Sequence, residues 1–216
     1  MSEFRPIISI ILTIVLVLAL VGVVQVLKKG IYEHGDDIYF VDEDGVGSSG
    51  GSGVFSGDTK QVACVMEYAK KNSVDNRKCG CDDKSCSDYA MWVTEYTKEY
   101  KVLDPILIVS VMMQESHCNH YQNGIVKGSS AGAVGLMQIM PDTGKGTCSY
   151  NLQDLYDEEK NIKCGVRVLR SKYENSRSNG DWKRALGLYY GSIGASYKND
   201  VWNRYEKLKK IADDEC

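Results

Sequence analysis

From residue 59 onward the apolar positions recur with helical period. The segment TKQVACVMEYAKK (59–71) places Val62, Val65, Met66 and Ala69 on one face. SDYAMWVTEYTKEY (87–100) has the same period, after a loop, CGCDDKSC. The stretch DPILIVSVMMQESHCN (104–119) opens with Asp104 as an N-cap and Pro105 at the first helical position. DEEKNIKCGVRVLRSKYEN (157–175) reads as an amphipathic helix with acids first and bases later. DWKRALGLYYGS and SYKNDVWNRYEKLKKIAD are expected to be the last two helices. Between the 104–119 and 157–175 stretches lie a polar, Gly-rich loop (118–133) and a short apolar segment, GLMQIM, stopped by Pro141. The expected fold is mainly α, a single domain over residues 59–216.

The first part of the chain follows another pattern. Residues 7–27 form an uncharged apolar run of 21 residues. At ~1.5 Å per residue it is long enough to cross a bilayer. With no small-x-small cleavage site, it reads as a membrane anchor (residues 1–30) rather than a cleaved signal. Residues 31–58 read as a flexible linker, with DGVGSSGGSG in their latter half. The positive charges flanking the run are nearly balanced and give no orientation. The cysteines do. All eight lie after the run, an even, high count that points to disulfides and an oxidising compartment. The expected placement is single-pass, with the domain on the extracytoplasmic side. The remaining composition, 43% hydrophobic and 25% charged at a net charge of −3, is ordinary for a globular domain. It gives no reason to expect nucleic-acid binding.

The chemistry starts at Glu115. Ile108, Val111 and Met112 lie seven, four and three residues before it, so the carboxylate shares a helical stripe with apolar residues. An unpaired carboxylate there is costly. It either turns out to water at the helix end or carries a raised pKa, as a general acid requires.

Four pieces stand in order: ESHCN at 115, SSAGAVGLMQIMPDT at 129, EKNIKCGVRVL at 159 and ALGLYYGS at 185. Together they resemble the soluble lytic transglycosylase (SLT) type catalytic domain, a relative of goose-type lysozyme. That family carries a Glu-Ser pair ending a helix, a Gly-Leu-Met-Gln run, a downstream Asn-Ile and an Ala-x-x-Tyr segment. The resemblance covers about residues 85–206. It implies a lysozyme-like helical domain that cleaves the β-1,4 bond between MurNAc and GlcNAc in peptidoglycan or a related amino-sugar polymer. The muramic acid's own 6-hydroxyl attacks, leaving 1,6-anhydro ends. Glu115 is then the single general acid and base.

The resemblance carries Ser116, Ser129, Met137, Gln138, Met140, Asn161 and Tyr189 over as substrate-binding positions. The Tyr189 hydroxyl is expected to hold Glu115. Each also has a plainer reading: Ser116 as a helix-end hydroxyl, Ser129 as loop chemistry with Ser130 as its substitute, the methionines as core, Asn161 as a fold residue. Two departures stand out. Tyr190 occupies the place of the family's usual Asn, and the loop between Glu115 and Ser129 is longer than usual. A disulfide from Cys118 to Cys148 or Cys164 is expected to pin that loop. Asp142, Asp154, Asp157, Glu158 and Glu159 read as capping or helix-dipole residues rather than a second catalytic carboxylate. His117, Cys118 and His120 invite a zinc reading, but the chain has left the helix there. No cofactor is expected. A lysozyme-like hydrolase and a non-catalytic glycan-binding module stay open as alternatives, as does a role with secretion or cell-envelope machinery.

Overall fold

The computed structural model describes residues 57–193 and 196–216. The apolar run 7–27 and nearly all of the linker lie outside the described residues. Among the described residues, no helix is long and apolar enough to cross a membrane. Residues 54–216 form one compact unit.

Six main helices build it: α1 (Gly57–Lys71), α2 (Asp83–Tyr100), α3 (Pro105–Glu115), α4 (Glu158–Glu174), α5 (Trp182–Tyr190) and α6 (Tyr197–Glu215). Their starts are chemically marked. Asp82, Asp104, Asp157 and Asp181 each accept a backbone N–H as N-caps. Asp82 starts α2 earlier than the hydrophobic period suggests, so the second half of CGCDDKSC is already helical.

α3 is the central element, and Ile106 to Met113 are all buried. An all-apolar helix must be covered on every side. α6 and α2 pack against α3, α1 and α4 pack on α2, and α5 bridges α4 and α6. Val62, Val65, Met66 and Ala69 are buried in the core, as their spacing requires.

The polar loop after α3 holds a small antiparallel hairpin. Tyr121–Gln122 pairs with Ile125–Val126 around Asn123 and Gly124, both at positive φ. This Asn-Gly pair is the strongest short hairpin signal.

All eight cysteines are paired: Cys64–Cys216, Cys79–Cys118, Cys81–Cys86 and Cys148–Cys164. The expected bond from Cys118 to Cys148 or Cys164 is thereby corrected. Gly80 N–H donates to His117 O at 2.6 Å, which brings the loop before α2 alongside the chain leaving α3. Cys79 is therefore the cysteine within reach.

Candidate active site

Glu115 is the last residue of α3, and Ser116 is its C-cap. The stripe beneath it, Ile108, Val111 and Met112, has no exposure. This burial pushes the Glu115 carboxyl up to about 7 from its ordinary 4.5. Two groups oppose the shift. The Tyr197 hydroxyl donates to Glu115 Oε1 at 2.5 Å, and the positive charge of Arg77 favours the ionised form.

The segment after α3 is tightly held. His117 and Cys118 both adopt left-handed backbone, at φ 61° and 53°. Non-glycine residues do so only when their surroundings fix them. Here the Cys79–Cys118 disulfide does so, with Ser116 and Cys118 N–H both donating to Met112 O. Arg77 Nη1 donates to His117 Nε2 at 2.5 Å and to Gln114 O at 3.4 Å. Burial and the Arg77 charge lower the His117 pKa, which suits a neutral, accepting ring. From α6, the buried Arg204 donates to Ser110 O and Gln114 Oε1, fixing the end of α3 from the other side.

The family positions separate by what they touch. Ser116 is fully buried, and its hydroxyl donates to Met112 O at 3.1 Å, the helix-end role. Ser129 is exposed, and its Oγ accepts from Ala133 N–H in the Gly-rich loop. Met137 is fully buried, whereas Met140 is 41% exposed. Gln138 is half-buried at φ 47°, with its amide nitrogen donating to Gly135 O and Lys127 O. Asn161 is buried inside the fold. It accepts from Met137 N–H and donates to Val134 O and Leu155 O. Tyr189 donates to Met137 O at 2.7 Å. It lies close enough for the Glu115 charge to raise its pKa, after burial, but it does not hold the acid.

Tyr197 holds it instead, which corrects the expected role of Tyr189. Tyr197 lies outside the four sequence pieces. Its signal was its place on the apolar face of α6 with Val201 and Leu208, because a buried tyrosine hydroxyl needs a partner.

The other carboxylates are engaged elsewhere. Asp154 forms a capping box with Asn151, and Asp157 caps α4. Glu158 and Glu159 accept from Tyr89 and Tyr96. Asp142 sits in the first turn of a short helix, Pro141–Thr143. Cys118 is tied up in its disulfide, and His120 Nε2 meets Tyr156 O, so this trio is not a ready zinc site. No group of three metal-ligating side chains occurs among the described residues.

The site thus centres on a carboxyl whose pKa burial raises and which accepts a hydrogen bond from the Tyr197 phenol. Residues 91–213 match the Transglycosylase SLT domain. The chain belongs to this family. A relative, the protein named "Transglycosylase" from Enterobacteria phage PRD1, is 39% identical over 89 residues. That alignment covers 41% of this chain and 29% of the relative, so the chain spans under a third of that protein's length. The SLT match contains Glu115, Tyr197 and the family positions described above, while Arg77 and Cys79 lie before it.

Proposed function

We propose that this chain is a membrane-anchored lytic transglycosylase of peptidoglycan, with Glu115 as its single acid and base. The observation that carries the reading is a half-buried carboxyl set on a fully buried apolar stripe and held by the Tyr197 hydroxyl, its pKa raised by burial to about 7, with no carboxylate among the described groups that shift it. Glycosidases that use two carboxylates need both beside the scissile bond. One carboxyl that first donates and then accepts a proton works best with a pKa near the operating pH. Glu115 would protonate the glycosidic oxygen as the bond to the anomeric carbon breaks. The 6-hydroxyl of the MurNAc ring then bonds that carbon and returns its proton to Glu115. The products are a 1,6-anhydro end and a free 4-hydroxyl, and the acid is regenerated without water. Membership of the SLT family supports this substrate and reaction, and the name of the phage relative supports the reaction.

The apolar run 7–27 and the four disulfides support a tethered domain on the oxidising side of a membrane. Fractionation tests the tether. The full chain is expected in the membrane pellet after a high-salt wash; release by salt would remove the anchor from the reading.

The activity is tested by incubating the oxidised protein with purified peptidoglycan and weighing the released fragments. Anhydro ends, one water lighter than reducing ends, are the expected product. Reducing ends would mean a lysozyme-like hydrolase. Glu115→Gln is expected to abolish turnover while keeping glycan binding; cleavage near the wild-type rate would show that another group is the acid.

A further inference from the structure

Tyr190 is the last residue of α5 and is 62% exposed. Its ring lies nearly parallel to that of Tyr197, with centroids 4.9 Å apart and planes inclined by 20°. Tyr197 is buried and hydrogen-bonded to Glu115. The adjacent residue, Tyr189, is anchored to Met137 O. Tyr190 is therefore no isolated surface aromatic. It is the outer member of a stack whose inner member holds the acid, and its position is fixed by that stack.

We infer that Tyr190 is a sugar-stacking platform, binding the apolar face of an N-acetylated amino-sugar ring next to the one cleaved at Glu115. This rests on the glycan-cleaving reading of the site. One face of the Tyr190 ring is covered by Tyr197, and the residue's large exposure leaves the other open. Pyranose rings carry a face of C–H groups that packs on aromatic rings, so the open face suits a sugar. The ring is already held by Tyr197, so little side-chain freedom is lost when a sugar lands on it. The family pattern has Asn at this place, which offers no such face. The platform adds a contact that favours longer glycans.

The test uses the full, oxidised chain carrying Glu115→Gln, titrated with a soluble GlcNAc–MurNAc tetrasaccharide by calorimetry. Adding Tyr190→Ala or Tyr190→Asn is expected to weaken binding about tenfold. Tyr190→Phe, which keeps the ring, is expected to restore it. In the active enzyme the same loss should appear as a raised KM. Two ring-deleting variants guard against one that misfolds. Equal affinity in all three variants, with cleavage by the unmodified enzyme intact, would overturn the platform and leave the lytic reading standing. Lowered kcat with a displaced pH profile and unchanged affinity would also overturn it, because Tyr190 would then act only by positioning Tyr197. Absence of both cleavage and glycan binding in every form would remove the platform together with the reading beneath it.

Discussion

Glu115 holds its proton because burial has taken water away, not because a neighbouring anion repels its charge. The two nearby groups that act on it both favour ionisation, which makes their removal informative. If the protonated acid starts the reaction, kcat/KM should fall as pH rises through about 7. Tyr197→Phe removes a bond that lowers the pKa, so it should move that fall to higher pH. A pH–rate profile on a soluble glycan checks both the position of the limb and the sign of its shift. Stability carries the same signature. The folded pKa is raised, so between 4.5 and about 7 the native state binds more protons than the unfolded chain. The contribution of Glu115 to stability is therefore fullest below 4.5 and is lost as pH rises through about 7. Glu115→Gln should stabilise the domain by about 1–3 kcal/mol at pH 8, with the difference vanishing at pH 4. Urea unfolding at the two pH values measures this.

The site loop and α4 are joined by one side chain, Asn161, with three buried hydrogen bonds to backbone at 137, 134 and 155. The glycines around it show how close the approach is. A Cβ on Gly135 would lie 2.2 Å from Asn161 Nδ2, and one on Gly165 would lie 2.5 Å from the Met137 side chain. Asn161→Ala takes the side-chain partner from the Met137 N–H and the Leu155 carbonyl in the interior, while Val134 O keeps the Ile139 N–H. At about 1–3 kcal/mol for each buried unpaired group, a loss of at least about 2 kcal/mol is expected, read from thermal melting. Activity should fall too, since Met137 O also anchors Tyr189. The helices and the Asp104 cap were legible because apolar period and an Asp-Pro start are local signals, whereas the Asp82 cap lay hidden in a segment that reads as a loop. Glu115 was legible because its stripe is local as well. The hairpin at 121–126 was missed although its Asn-Gly turn is a local signal, because the loop around it reads as polar and Gly-rich. Tyr197 was missed because its hydroxyl meets a residue 82 positions away, and no pattern within α6 specifies that meeting.

Across the whole domain, the disulfides divide between holding the chain together and holding the acid. Their number was plain from the sequence. Their pairing was not, because partners are chosen by proximity in the fold. By the loop-entropy relation, Cys79–Cys118, with a separation of 39, contributes about 4 kcal/mol, and Cys148–Cys164, with a separation of 16, about 3 kcal/mol. On stability alone the two are close. On function they should differ. Cys118 follows Glu115 by three residues and sits with His117 in left-handed backbone that local preference does not favour. Without the bond, that turn can relax, and the end of α3 loosens with it. Replacing Cys79 and Cys118 by Ala should therefore lower kcat well below the melting transition. Replacing Cys148 and Cys164 should lower the melting temperature while leaving kcat near wild type in the cold. Rates at 15 °C beside melting curves separate the two effects. Equal kcat in both double variants would mean that the helix caps and Arg204 hold Glu115 unaided.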